Sequence, residues 1–209
     1  MPHPKTRFAA SLEARLRQAL ADIPAEGRGD IYAVSLWFYC DDDDKRYPVV
    51  VFSYNTETHC REQAAQASSP QEARWNYAFW LQDESPVCRT IGGESDQELA
   101  AWFSAWPHYY SEEESEAAFE DDDDETFETV CAKGEAFCGE FVEILIAAVQ
   151  KLFADGTVAA TFGRDIPLLI HELEYYELPK NRTLRANPPE MAGLIDKAFA
   201  WWADGSENR

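Results

Sequence analysis

The stretch from residue 30 to residue 56, DIYAVSLWFYCDDDDKRYPVVVFSYNT, contains two apolar runs separated by four consecutive aspartates. Both runs are rich in β-branched and aromatic residues, which favour strands. The aspartates need water because adjacent carboxylates repel one another. The stretch therefore predicts a β-hairpin whose solvated tip carries the aspartate run.

Helical periodicity is clear in three other segments. Residues 5 to 23 place Phe8, Leu12 and Leu16 on one stripe, and residues 133 to 154 carry the broadest apolar face of the chain. That breadth indicates a central helix. The final segment, NPPEMAGLIDKAFAWWADG from residue 187, predicts a helix with Asn187 as its N-cap. A fourth helix is predicted from the S-x-x-E capping box at residues 95 to 98.

Shorter apolar segments supply the other predicted strands. WNYAFWLQ, residues 75 to 82, alternates like a strand, although a continued short helix also fits. TVAATF and IPLLIHELEYY, on either side of Gly163, predict a second hairpin. Strands that come in local pairs indicate an α+β fold. We expect one domain over residues 1 to 209, with an antiparallel sheet built from local hairpins and covered by helices.

Charge narrows the possible partners. The 209 residues contain 18 Lys and Arg against 39 Asp and Glu, a net charge of −21. Such a surface repels nucleic acid and anionic membranes, so neither is an expected partner. A basic protein is the expected partner, although solubility alone could also account for the acidity. Eleven of the residues from 111 to 128 are acidic, which predicts a loop or a fraying helix.

The two acidic segments supply the predicted partner-binding residues. These are Asp41, Asp42, Asp43, Asp44, Glu112, Glu113, Glu114, Asp121, Asp122, Asp123 and Asp124. The aromatic clusters at residues 74 to 80 and 102 to 110 are either core or an exposed interface patch. Arg74, which precedes Trp75, is expected to form an internal ion pair or a cation–π contact.

Catalytic patterns are weak. No serine nucleophile motif and no zinc-binding H-E-x-x-H motif occurs, and neither aspartate run has the order of a calcium loop. We therefore predict no catalytic residue, no metal ligand and no cofactor. The alternative is a metal-assisted hydrolase that uses Glu172 and Glu174, with or without His171. The five widely spaced cysteines favour reduced thiols in a cytoplasm.

Several of these segments together resemble a known bacterial family. They are DIYAVSLWFY, the strand that ends in YNTE, EARWNYAFW, IPLLIHELEYYE and NPPEMAGLIDKAFAWW. In this order they are similar to the family known as domain of unknown function 4303. The resemblance implies a small cytoplasmic bacterial protein and carries over no active-site residue. By analogy with other acidic α+β proteins, it suggests an immunity protein that blocks a toxin.

Overall fold

The computed structural model describes residues 2–120, 124–174 and 176–201. Its strands are β1 (Ile31–Cys40), β2 (Pro48–Thr56), β3 (Arg89–Gly92) and β4 (Leu168–His171). Its α-helices are α1 (Pro4–Asp22), α2 (Glu57–Gln63), α3 (Pro70–Trp75), α4 (Gln97–Ser104), α5 (Glu112–Glu120), α6 (Asp124–Ala154), α7 (Thr157–Phe162), α8 (Glu177–Ala186) and α9 (Ala192–Phe199). The α+β class is confirmed.

The four strands form one sheet in the order β3-β2-β1-β4. β1 and β2 pair antiparallel from Ile31 opposite Thr56 to Cys40 opposite Pro48, which confirms the hairpin and places the aspartate run at its tip. β3 adds to β2 in the antiparallel sense. β4, however, runs parallel to β1. The sheet is therefore mixed, and the prediction of a purely antiparallel sheet is wrong.

The predicted second hairpin is also wrong because TVAATF forms helix α7. Its buried residues, Val158 and Phe162, are four apart and therefore share one helix face. Gly156 and Gly163 flank the helix with φ of 75° and 73°, values in the left-handed region that glycine adopts readily. With no strand preceding it locally, β4 pairs with β1 instead.

Side chains of α8 satisfy the outer edge of β4. The hydroxyl of Thr183 accepts from Ile170 N at 2.9 Å and donates to Ile170 O at 2.8 Å. The amide of Asn187 binds Leu168 N and Leu168 O in the same way. Asn187 thus follows α8 and holds a strand edge, so its prediction as the N-cap of the last helix is wrong.

Helices cover both faces of the sheet. The larger core packs the sheet residues Val34 and Leu36 with α1, α4 and α6. A smaller core on the opposite face gathers Ala33, Leu169 and aromatic residues of residues 75 to 80 with α9. Within α6, Phe137, Phe141 and Leu145 are fully buried, which confirms the central position of this helix.

Local capping differs from the prediction at several places. The acidic segment is helical in its described part, because Ser111 and Glu114 form a capping box: Ser111 Oγ accepts from Glu114 N, and Glu114 Oε2 accepts from Ser111 N. Glutamates also suit the positive end of a helix dipole. Asp96, rather than Ser95, caps α4.

The segment WNYAFWLQ contains a 3-10 turn at Tyr77–Phe79 instead of a strand.

Candidate functional site

A cleft of about 680 Å³ lies where the parallel strands β1 and β4 end. β4 pairs with β1 only from Val34 to Trp37, opposite Leu168 to His171. Residues 38 to 40 of β1 therefore pair with β2 alone, and the space that a longer β4 would fill stays open. The walls come from the end of β1, the hairpin tip, the segment after β4, and residues 135 to 139 of α6.

Two ion pairs lie in the cleft. Arg182 Nη1 lies 2.6 Å from Glu172 Oε1, and Lys45 Nζ lies 2.8 Å from Glu135 Oε1. Tyr176 donates to the other oxygen of Glu172, and burial together with this carboxylate raises the pKa of Tyr176 to about 12. Glu172 thus already binds a cation and a hydroxyl. A metal ion at this carboxylate would have to displace Arg182.

Glu172 and Glu174 both line the cleft, as the hydrolase alternative requires. The predicted strand continued through both glutamates, which would have put them on one face, but the strand ends at His171. Within the part of the chain that the structure describes, no group of three or more His, Cys, Asp or Glu is placed to hold a metal ion. We find no specific observation that favours the hydrolase alternative.

The hairpin tip divides the first aspartate run into internal and outward carboxylates. Asp41 Oδ2 accepts from Glu94 N at 3.1 Å. Asp44 accepts from Arg46 N and Nε at 2.8 and 3.0 Å, and the Arg46 side chain is only 9% exposed. Asp42 and Asp43 are exposed and take left-handed φ angles of 50° and 60°, which aspartate tolerates better than most residues. Of the four aspartates in this run, only these two are exposed.

The second acidic segment lies next to this tip. Glu112 Oε1 is 3.8 Å from Arg46 Nη2, and a depression of about 300 Å³ is lined by residues 42 to 45 together with Tyr110, Ser115 and Val130. Glu113 is exposed, whereas Glu114 serves the capping box. Asp121, Asp122 and Asp123 lie outside the described residues, and of Asp124 only the backbone, which begins α6, is described.

Three exposed apolar side chains border the cleft. The structure exposes six large hydrophobic side chains among its described residues, and Leu173, Tyr176 and Leu178 are three of them, at 70%, 44% and 49%. Trp37, in the wall, has a buried indole N–H with no hydrogen-bond partner among the described residues. Exposed apolar clusters of this kind mark binding surfaces. Sequence reasoning missed this cluster because the segment was assigned to a strand.

Two cysteines meet in the cleft. Cys40 Sγ, at the end of β1, lies 3.5 Å from Cys138 Sγ of α6. The hydrogen bond from Cys138 lowers the pKa of the Cys40 thiol, and the positive charge of Lys45 acts in the same direction. The same contact and burial raise the pKa of Cys138. Cys131 lines the neighbouring depression instead.

A serine–histidine hydrogen bond lies under the smaller core. Ser35 Oγ is 2.7 Å from His171 Nε2, and the other ring nitrogen is 2.9 Å from Glu172 O. The two residues are 0% and 1% exposed, and burial lowers the pKa of His171 to about 4. The pair is therefore dry and neutral near pH 7. A substrate has no access to it, so we interpret it as a structural hydrogen bond.

The aromatic clusters are mainly core. Trp75, Tyr77, Trp80, Trp102, Phe103 and Trp106 are all buried. Arg74 pairs with both oxygens of Glu57 at 2.7 and 2.8 Å, and its guanidinium lies 4.0 Å from the ring centre of Tyr32. The expected ion pair and the expected cation–π contact of Arg74 are both confirmed.

No helix in the described ranges is long and apolar enough to cross a membrane. Comparison with protein-family models, curated proteins and solved structures gives no match. The resemblance to the domain of unknown function 4303 family thus stays a prediction, and the function has to be argued from the cleft and its surroundings.

Proposed function

We propose that this chain is a binding module for a basic protein, and that its cleft receives a cationic segment of that partner. The proposal rests on an exposed apolar patch, formed by Leu173, Tyr176 and Leu178, on the border of the cleft. The charged side chains of the cleft that form no ion pair among the described residues are acidic. An apolar centre with a charged rim is the usual anatomy of a protein interface.

The charges at the cleft favour a cation. Both cations that line it, Lys45 and Arg182, are held in ion pairs. Asp43 and Glu174 also line the cleft and form no ion pair with any residue that the structure describes. Across the hairpin tip, Asp42 and Glu113 extend the acidic surface. Such a field speeds the approach of a basic partner and weakens as salt rises.

In its most concrete form, the proposed binding module is an immunity or inhibitor protein of a bacterial cytoplasm. It would cover the active surface of a basic toxin. The net charge of −21 supports a basic partner and speaks against nucleic acid. The family resemblance supports a bacterial cytoplasmic setting by analogy alone. The free cysteines of the structure agree with a reducing compartment.

The first test is capture. The tagged chain is immobilised, lysate of the source organism is passed over it at low and then moderate salt, and the retained proteins are identified by mass spectrometry. We expect one stoichiometric basic protein that salt releases. Its affinity for the purified chain is then measured by calorimetry across the same range of salt. If the column retains no basic protein, or if salt does not change the affinity, the proposal is contradicted.

A charge-matched pair of variants locates the surface. Asp43→Asn with Glu174→Gln removes one aspartate and one glutamate charge from the cleft. Glu26→Gln with Asp165→Asn removes the same charges from exposed positions before β1 and β4, at the opposite ends of these strands. The first variant should bind the captured protein several-fold more weakly, and the second should bind like the parent chain. Equal losses would assign the affinity to net charge and remove the cleft from the proposal.

The apolar patch has its own variant. Leu173→Ser changes a side chain that is 70% exposed, so its effect on stability should be small. Because an apolar anchor acts after encounter, we expect faster dissociation with nearly unchanged association. Leu194→Ser, at an exposed leucine on α9 that does not line the cleft, is the control. An unchanged dissociation rate for Leu173→Ser would exclude the patch from the interface.

A further inference from the structure

The cleft contains a chemical feature that partner binding does not need, the contact between two thiols. Cys40 and Cys138 are 98 positions apart in the chain, yet their sulfurs lie 3.5 Å apart. This is the one sulfur–sulfur hydrogen-bond contact among the described residues, although the chain has five cysteines. Two sulfurs at this distance need to approach by about 1.5 Å to reach the length of a disulfide bond.

The fold holds the two sulfurs together from both sides. Cys40 is the last residue of β1, opposite Pro48 of β2, and Cys138 lies in the middle of α6. The hairpin tip packs on α6 at Gly134, where a Cβ atom would stand 2.5 Å from Lys45 Cβ. Cys138 Sγ also lies 3.4 Å from Lys45 O. The close approach at Gly134 therefore fixes the helix against the strand that carries Cys40.

Access and reactivity differ between the two thiols. Both line the cleft, but Cys138 is only 4% exposed, whereas Cys40 is partly exposed. Cys40 also has the lowered pKa of the pair, while burial raises the pKa of Cys60 and of Cys88. Because the thiolate is the reactive form of cysteine, Cys40 has the features of an attacking thiol and Cys138 those of a resolving thiol.

We propose that Cys40 and Cys138 form a redox-active dithiol site that a small hydroperoxide entering the cleft oxidises to a disulfide. The thiolate of Cys40 attacks the terminal oxygen of the hydroperoxide; the sulfur–oxygen bond forms, the oxygen–oxygen bond breaks, and the leaving oxygen takes a proton. Cys138 then attacks the sulfenic sulfur of Cys40, and one water leaves. Two thiols and one hydroperoxide give one disulfide, one alcohol or water, and one further water. A thiol reductant reverses the change.

The site is independent of the proposed partner, so it is tested on the purified full chain alone. The reduced protein is exposed to hydrogen peroxide at about equimolar amounts, free thiols are blocked with an alkylating agent, and the unreduced digest is mapped by mass spectrometry. We expect a peptide that joins Cys40 to Cys138 with the loss of two hydrogen atoms. We expect Cys40 to be consumed about tenfold faster than Cys88 or Cys131.

Variants separate the two roles. Cys138→Ser should stop the cross-link and leave a sulfenic acid on Cys40, which dimedone traps; Cys40→Ser should abolish both products. A control with Cys88→Ser and Cys131→Ser should form the same cross-link at the parent rate. The peptide map of the parent chain tests the proposal even if a variant fails to fold. A cross-link between other cysteines, a cross-link between two chains, or oxidation of Cys40 no faster than of Cys88 would overturn the proposal.

Discussion

Replacing His171 should change how the stability of this protein depends on pH. The imidazole is 1% exposed and lies against Ser35. Burial lowers its pKa from 6.5 to about 4. Between these two values the unfolded chain binds a proton that the folded chain does not. The histidine therefore contributes no penalty above about pH 7, and it destabilises the fold increasingly as pH falls towards 4.

The size of the effect follows from the two pKa values. The folded and unfolded pKa values differ by about 2.5 units, which corresponds to a loss of roughly 3 kcal/mol in the free energy of unfolding when the pH falls from above the higher value to below the lower one. From pH 7 to pH 5 the loss amounts to about 2 kcal/mol. The carboxylates that ion pairs stabilise, such as Glu57 and Asp96, have ordinary pKa values of 4.5 and 3.8, so they lose their contribution mainly below this window.

The assay is urea unfolding of the parent chain and of His171→Gln at several values of pH between 5 and 7. Glutamine does not titrate, so the variant should be less stable at pH 7 but should lack about 2 kcal/mol of the loss on acidification. His59→Gln, which removes a histidine from α2, is the control. If His171→Gln and the parent chain show parallel pH dependence, the histidine is not buried and neutral, and the Ser35–His171 contact would have to be reconsidered as an accessible pair.

Two further substitutions test the contacts that shape the cleft, each by urea unfolding. Thr183→Val keeps the shape of the side chain but removes the hydroxyl that satisfies the outer edge of β4, so it should cost about 2 kcal/mol; a cost below a few tenths would mean that water replaces the hydroxyl there. Gly134→Ala should also destabilise, by about 2 kcal/mol, because its Cβ would meet Lys45 Cβ at 2.5 Å. Gly139→Ala, with no atom within 4 Å of the added Cβ, is the control and should stabilise the helix by up to about 1 kcal/mol.

Local features of the fold were predictable from the sequence, and long-range pairings were not. The β1–β2 hairpin follows from two adjacent apolar runs and a short polar connection. The parallel pairing of β4 with β1 joins residues more than 130 positions apart, and periodicity holds no information on such a pair. Asn187 illustrates the same limit, since its side chain binds β4 rather than the helix that follows it in sequence.

The cleft could not be predicted for a related reason. It exists because β4, with 4 residues, is shorter than β1, with 10, and strand ends are the least reliable part of a sequence-based assignment. The contact between the two cysteine sulfurs depends on the same geometry. Cys40 lines the cleft because β4 ends before it could pair with this part of β1. The acidic residues were visible in the sequence, but their division into internal and outward groups depends on partners such as Arg46 and Glu94.

That division decides how the aspartate run must be tested. Neutralising all four residues would remove the Asp44–Arg46 pair and the contact of Asp41 with Glu94 N together with the outward charges. Asp44→Ala leaves a largely buried guanidinium without its main partner, so we expect it to cost about 2 kcal/mol of stability.

The outward aspartates should behave in the opposite way. Asp42→Asn with Asp43→Asn should change stability by less than about 0.5 kcal/mol, because asparagine also accepts the left-handed φ angles of these positions. The same double variant should slow association with a basic partner, since steering depends on exposed charge. Unfolding and binding kinetics, measured on both variants, separate the two roles. If Asp42→Asn with Asp43→Asn unfolds the tip while Asp44→Ala does not, the assignment of internal and outward carboxylates is reversed, and the charged rim of the cleft must be sought on α5 instead.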